Sequence, residues 1–467
     1  MLFNVIPAGT SAPPAVNTCF LQANDWDDFG FKTLFGLYYR DRTGTIRYFG
    51  DVKIGQVGLD RHVSRPGLPV EFDRLGDDFF SLGQDASYYQ RINELSDQTA
   101  EEILLSLNDV AFDLDLFDRA LRHRVTGVSL LRNVSWATVR NQFHRVALGG
   151  LRLSPFGFSY RYPAERAGAV GRPNLTFSVI PESNPPSNMH VIIGSNGVGK
   201  SRLLNNITRT LLSPSADTHE LGDIKFDPAA ADTKFLSHAE EGPPQFAGIV
   251  SVAFSAFDEF EPLSTPQDRS KGLQYTYIGL KKIARSGSEE SGGLKDSRAL
   301  ATEFGLSVKI CLQRSRLSRW KRALEVLQSD PIFADYEVAN LASVSNDESL
   351  RVRAREVFRD LSSGHKIVLL TVTRLVESVE ERTLVLIDEP ESHLHPPLLS
   401  AFIRALSELL INRNGVAIIA THSPVVLQEV PKKCVWLLRR SGDAVAAEPP
   451  QIETFGENVG TLTNEVF

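Results

Sequence analysis

The chain has 467 residues, 42% of them hydrophobic and 23% charged, and carries a formal net charge of −7. That size predicts two to four domains with ample core. The acidic balance excludes a protein that wraps nucleic acid over its whole surface, so any such contact has to be a local patch.

The three cysteines, Cys19, Cys311 and Cys434, are far apart in sequence. They offer neither a disulfide framework nor zinc spacing, which fits a reducing cytoplasmic compartment. The start, MLFNVIPAGT, lacks a basic region followed by a long apolar stretch, so no signal peptide is expected. No apolar run approaches the length that spans a bilayer.

In chain order, the first 25 residues or so are rich in Pro, Ala and Asn and read as a loosely held arm. FKTLFGLYYRD and TIRYFGDVKIG alternate around Arg42-Thr43-Gly44 and predict a β-hairpin. A helix is predicted to open at Thr99, with Glu102 completing a capping box. Arg119 to Arg166 holds nine arginines, no lysine and one acid, Glu165. A boundary near Gly149-Gly150 separates an α+β N-terminal domain (1–150) from the remainder (151–467).

FGFSYRY and NLTFSVIP read as strands, and MHVIIGSNGVGKSRLLNNITRTLL as strand, glycine-rich turn and helix. Residues 213–247 read as an irregular insertion, GIVSVAF as a strand, and Ser264 to Asp296 as a polar linker. A helical region spans 297–380, within an insertion of about 261–380. The strand TLVLID, a helix near Pro397 to Leu410, the strand VAIIATHSP and a terminal hairpin, VWLLRRSGDAVAAEP, complete the chain. Strands separated by helical segments predict a mainly parallel sheet with flanking helices. There is no internal repeat.

GSNGVGKS, from Gly194 to Ser201, fits G-x-x-x-x-G-K-[ST]. Glycines let the backbone fold tightly, so that successive N–H groups point into one concavity, and the helix beyond them adds its positive end. Gly194, Ser195, Asn196, Gly197, Val198, Gly199, Lys200, Ser201 and Arg202 are therefore the candidate nucleotide-binding set. Lys200 would reach the phosphates and Ser201 would ligate Mg²⁺.

TLVLIDEPESHLHP drives an apolar strand into two adjacent carboxylates, Asp388 and Glu389. If this strand neighbours VIIG, Asp388 arrives beside the phosphate loop and can hold the Mg²⁺ that Ser201 also holds. Glu389 is then free to polarise an attacking water as general base. The bland alternative is a salt-bridged strand end. His422, at the end of VAIIATHSP, could touch the γ-phosphate or orient that water; the alternative is a hydrogen-bonded loop histidine. LSSGHK, Leu361 to Lys366, sets hydroxyls and a glycine before a helix, a weak anion site by itself because any helix N-cap looks similar.

These four pieces, in this order, resemble the ATP-binding-cassette (ABC) ATPases: Walker A at 194–201, signature at 361–365, Walker B at 384–389 and the His switch at His422. DEPESHLHP, LSSGHK and ATHSP look more like the soluble SMC-like and RecF-like branch than like transporters. That branch includes the overcoming-lysogenization-defect ATPases and the ATPase subunits of antiphage systems such as Septu. The resemblance implies an ABC P-loop fold with an antiparallel β-subdomain and a helical insertion. It also implies a head-to-head homodimer, or a higher oligomer, in which ATP lies between Walker A of one subunit and Ser362, Ser363 and Gly364 of the other. It implies Glu389 and His422 as catalytic residues, Ser201 and Asp388 as metal ligands, ATP and Mg²⁺ as cofactors, and His395 near the dimer-facing loop.

The family's metal-contacting glutamine is absent, leaving Ser255 and Asp258 as the nearest polar candidates. Ser363 and His365 stand where glycine and a glutamine or glutamate are commoner. The chain has no room after His422 for an appended nuclease domain, so a nuclease effector is expected as a separate partner. The implied role is ATP-driven gating in antiphage defence or DNA repair. A transporter energy subunit and a slowly hydrolysing scaffold are the other readings.

Arg314, Arg316, Arg319, Lys321 and Arg322 surround Trp320. They form either a nucleic-acid patch or a solvated helix face paired with acids. The arginine-rich 119–166 stretch carries the same two readings, with carboxylate pairing favoured by its lack of lysine.

Overall fold

The structure is a computed structural model. It describes residues 1–10, 14–59, 64–149, 153–163, 172–212, 218–227, 246–254, 262–263, 273–283, 293–312, 314–344, 347–442 and 444–466. The candidates Ser255 and Asp258, the segment SGSEESGG except its last glycine, and most of 213–247 lie outside the described residues. The chain divides into two compact units, one of described residues up to 149 and one from 153 onward.

The first unit is a six-stranded sheet with helices against it. Its strands are β1 (Leu2–Ile6), β2 (Thr18–Ala23), β3 (Leu34–Arg40), β4 (Ile46–Gln56), β5 (Glu71–Phe72) and β6 (Phe79–Gly83), in the order β5-β1-β2-β3-β4-β6. β1 and β2 pair in parallel and all other pairs are antiparallel. β3 and β4 form the predicted hairpin, with Gly44 at φ +87° closing the turn where a Cβ would be strained. Helices α1 (Ala86–Asn93), α2 (Asp97–Ser106), α3 (Leu114–Ala120), α4 (Trp136–Thr138) and α5 (His144–Ala147) complete the unit.

Two expectations fail here. The N-terminal stretch is not a loose arm: Phe3, Cys19, Phe20 and Leu21 are fully buried in β1 and β2, and the polar residues fall in the loop between them. Helix α2 opens earlier than Thr99, because the Ser96 hydroxyl already accepts the Thr99 N–H and caps it.

The second unit is three-layered. β9 (Met189–Ile193), β11 (Gly248–Ala253), β12 (Gln274–Gly279), β13 (Thr383–Asp388), β14 (Val416–Thr421), β15 (Val435–Ser441) and β16 (Ala444–Glu448) form one sheet in the order β12-β11-β13-β14-β9-β15-β16. Every pair is parallel except the terminal β15–β16 hairpin. A separate antiparallel sheet, β10-β7-β8, joins β7 (Phe156–Arg161), β8 (Asn174–Val179) and β10 (Asp223–Phe226). Strand β12 lies inside the stretch expected to be a polar linker, and β10 with helix α7 (Thr218–Leu221) inside the expected irregular insertion.

Period-2 alternation divides the core between two faces. Val385 and Ile387 of β13, with Val191 and Ile193 of β9, pack against a helical layer. That layer comprises α8 (Ser297–Cys311), α9 (Arg314–Leu327), α10 (Pro331–Asp335), α11 (Asp347–Asp360), α12 (Ser363–Ser378) and α13 (Pro396–Arg413). Leu384 and Leu386 face the other way, onto α6 (Lys200–Leu212) and the aromatic residues Phe158 and Phe177 of the small sheet. The short α14 (Pro424–Leu427) and α15 (Val459–Val466) close the unit. The whole is the expected α/β P-loop fold: a mainly parallel sheet with flanking helices, an antiparallel β-subdomain and a helical insertion, beside a first α+β unit.

Candidate functional site

The register of the parallel sheet assembles the site. Asp388 pairs with Ala253 on one side and Ala420 on the other, and Ala420 pairs with Ile192. The strands therefore end at one level. Three features line up along the resulting edge: the phosphate loop beyond β9, Glu389 beyond β13 and His422 beyond β14. One expectation needs correcting. β9 and β13 are not neighbours; β14 lies between them, so His422 sits between the loop and the carboxylates.

The loop folds as its glycines require. Gly197 and Gly199 adopt φ +77° and +100°, and a Cβ on Gly194 would stand 2.4 Å from the Leu438 carbonyl oxygen. Val198 plugs into the core while Ser195, Asn196, Gly197 and Arg202 are exposed. Lys200 is buried at the first turn of α6, and its Nζ donates to the carbonyls of Gly194 (3.0 Å) and Ser195 (3.2 Å). Burial holds its ammonium below the usual lysine value, against the pull of Glu389, Glu391 and Asp388. Ser201 and Asp388 line one open cleft with Asn205, Thr208 and Tyr275. A hydroxyl and a carboxylate on one wall, beside loop N–H groups and a lysine, fit Mg²⁺ and a triphosphate.

Glu389 is held at φ +42°, ψ +59°, with its N–H donating to Ala420 O at 2.8 Å. The left-handed region costs an L-residue about 1–2 kcal/mol. Here it turns the chain sharply after β13 and leaves a half-exposed carboxylate past the strand tip. His422 Nδ1 lies 3.0 Å from Glu391 Oε1 and 4.0 Å from Glu389 Oε1. Glu391 Oε1 also accepts the Thr421 hydroxyl and the His422 N–H, each at 2.7 Å. Glu391 thus positions His422, a role not read from the sequence although it is the third acid in DEPE. Arg440 was also missed; its Nη1 donates to Gly197 O at 3.2 Å from β15, far along the chain.

Ser362, Ser363 and Gly364 open helix α12. Ser362 caps α12, both serines are exposed, and among the described residues neither is hydrogen-bonded to the phosphate loop. Gly364 packs so tightly under the loop after β13 that a Cβ would lie 2.8 Å from His393 O.

The basic segments resolve toward pairing. Trp320 is fully buried and its Nε1 donates to Thr373 Oγ1, so it offers no stacking face. Arg316 is buried as well, while Arg322 pairs with Glu408 and Lys321 lies near Glu325. In the first unit Arg132 pairs with Asp28 and Arg140 with Asp118. Among the described residues no helix is long and apolar enough to cross a membrane.

The chain is similar to several known proteins. Residues 205–428 match the family described as "AAA domain, putative AbiEii toxin, Type IV TA system". An 88-residue stretch, 19% of this chain and 16% of the other, is 32% identical to an uncharacterized ABC transporter ATP-binding protein of Methanocaldococcus jannaschii, MJ1242. Among solved structures, the ADP conformation of the ATP-binding cassette MJ1267 covers 64% of this chain and 92% of its own at 16% identity, with a TM-score of 0.31. Protein ea59 of Escherichia phage lambda is 40% identical over 486 residues, spanning 100% of this chain and 89% of its own length. The chain has an α/β P-loop fold and belongs to the family of phage lambda protein ea59.

Proposed function

We propose that this protein binds and hydrolyses ATP in the cytoplasm, dimerises head-to-head around it, and gates a separate effector, a nuclease, in antiphage defence or DNA repair. One observation carries the reading: in-register strand tips set Lys200, Ser201, Asp388, Glu389 and His422 along one edge. Lys200 would exchange its two loop carbonyls for the β- and γ-phosphate oxygens, which return more than those neutral acceptors offer. Ser201 and Asp388 would hold Mg²⁺, which supplies charge neutralisation on the phosphates. Glu389 would take a proton from the attacking water, and His422, braced by Glu391, would face the same oxygen. Ser362, Ser363 and Gly364 would meet the γ-phosphate bound by the partner protomer, because a helix N-terminus with exposed serines suits an anion.

The test is Glu389→Gln, which keeps the shape and removes the base. Phosphate release should fall by about 10²–10⁴-fold, while ATP should convert the variant to a dimer in size-exclusion chromatography with light scattering. An unchanged mass with ATP present would refute the sandwich.

A further inference from the structure

We propose that Asp330 and His365 form a positioning relay that sets the direction of the Ser362 hydroxyl, so that a phosphate docks on Ser362 only as His365 takes up a proton. The inference rests on the reading that Ser362 meets a phosphate of the partner protomer's nucleotide.

Three helices begin at one place. Asp330 caps α10, Ser362 caps α12 and His395 caps α13. The His365 ring lies among them, buried, with the Phe333 ring edge-on at 5.0 Å and the His395 ring at 5.8 Å. His365 Nδ1 is 2.7 Å from Ser362 Oγ, and its Nε2 is 3.1 Å from Asp330 Oδ1. Asp330 is 1% exposed, and the same Oδ1 accepts the N–H groups of Ile332 (3.0 Å) and Phe333 (3.3 Å).

Proton accounting fixes the rest. Asp330 Oδ1 is an acceptor on all sides, so the His365 Nε2 facing it carries hydrogen. A neutral imidazole then has a bare Nδ1, which takes the Ser362 O–H. Ser362 Oγ already accepts the His365 N–H at 3.4 Å, and the residue is exposed, so its remaining lone pair is the one a docking phosphate would meet. A phosphate oxygen offers only lone pairs, so the two oxygens repel. One proton changes this. When a hydronium ion or buffer acid protonates Nδ1, the new N–H donates to Oγ and the Ser362 hydrogen swings out to the phosphate. The imidazolium lies against the buried Asp330 carboxylate, the same pairing that stabilises an imidazolium in a Ser-His-Asp triad. When the phosphate leaves, the proton leaves with the reversal.

Neither neighbouring histidine of the loop after β13 bonds to the His365 ring. His395 turns its Nδ1 to the Leu398 N–H, and His393 presents its carbonyl to Gly364. Charged groups lie at both ends of α12: Arg359 paired with Asp360 just before Ser362 and Lys366 beside His365 at the near end, and Glu303 from α8 with Arg374 and Glu377 and Arg319 from α9 at Val379 O at the far end. His365, His395 and Asp330 also lie close enough to share a cation, with ligand atoms within 4.8 Å of one another. Yet each His365 nitrogen already has its own partner, Ser362 Oγ and Asp330 Oδ1, and no lone pair is left for a metal.

The experiment is calorimetry of ATP-driven dimerisation in the Glu389→Gln background, in two buffers of different ionisation heat. The expected result is uptake of about one proton per protomer, with association tightening about tenfold per proton for each unit of falling pH. In Asp330→Asn the amide can donate to Nε2, so Nδ1 carries the hydrogen from the outset. The dimer should persist and the uptake should vanish. A dimer that forms without proton uptake, or with equal uptake in Asp330→Asn, overturns the relay and leaves the sandwich standing. Stoichiometric zinc lost with Asp330→Asn also overturns the relay. Absence of any ATP-dependent dimer overturns the sandwich, and the relay with it.

Discussion

Each unit holds a cluster of charges, and the two clusters are built on opposite terms. In the first unit the Asp28 carboxylate, 1% exposed, is saturated: Lys53 Nζ at 2.7 Å, Arg132 Nη1 at 2.6 Å, the Ser129 hydroxyl at 2.8 Å and Trp26 Nε1 at 2.8 Å all point to it. Burial alone would raise its pKa, but Lys53, Ser129 and Trp26 hold it below the usual carboxylate value. In the second unit three carboxylates, Asp388, Glu389 and Glu391, crowd one sheet edge, and the nearby lysine spends its hydrogens on its own loop carbonyls. A network whose donors and acceptors cancel is architecture. Three acids beside a lysine aimed at neutral loop oxygens suit the cation and the triphosphate of the proposed function.

Removing one partner from each cluster sharpens the contrast. Asp28→Ala leaves the Lys53 ammonium, 2% exposed, buried without its counter-charge. The first unit should lose about 3–5 kcal/mol, read as a fall in the urea midpoint. Asp28→Leu with Lys53→Met should recover most of that loss, since an apolar pair needs no compensation. Lys200→Ala should do the reverse. The second unit should keep its stability or gain slightly, because a desolvated ammonium is removed. ATP affinity by calorimetry should drop at least about a hundredfold, about 2.7 kcal/mol. A Lys200→Ala protein that binds ATP normally, or unfolds like Asp28→Ala, breaks the distinction.

The same contrast explains what the sequence made legible. Strand-turn-helix around GSNGVGKS and the acid-tipped strand LVLID are local patterns, and local patterns can be read from neighbours in the chain. What stayed hidden depends on distant partners. LFNVI and TCFLQA are short, and only their pairing with each other and with β3 makes them strands. The insertion of β14 between β9 and β13 is set by packing across the sheet. Trp320 sits among arginines in sequence but faces Thr373 in space. Asp330 looks like an ordinary helix cap until His365, 35 residues on, is placed against it. Glu391 was visible as a third acid, yet its task appears only when Thr421 and His422 arrive.

The smallest effect separates the units by pH. In the second, His190 on β9 is 1% exposed, edge-on to Phe177 and 3.3 Å from Ser178 O. Burial pushes its imidazole down to about 4 from 6.5, with Ser178 opposing. The folded state keeps it neutral while the unfolded chain protonates, so its stabilising contribution is full above 6.5 and is lost as pH falls toward about 4. In the first unit, burial raises the Asp109 carboxyl to about 7 from 3.8, against the N–H groups of Phe112 and Ala111 and the Tyr89 hydroxyl. That contribution is present below 3.8 and is lost as pH rises through about 7. Asp28, depressed, loses its contribution only below 3.8, outside this window. Raising the pH from about 5 to about 6.5 should therefore weaken the first unit and strengthen the second, each by at most about 1.4 kcal/mol per pH unit. Urea titrations followed by peptide-resolved hydrogen exchange read the units separately. Asp109→Asn should flatten the slope of the first unit and His190→Gln that of the second. Parallel slopes in both units, or slopes untouched by these variants, would show that neither buried group governs the response.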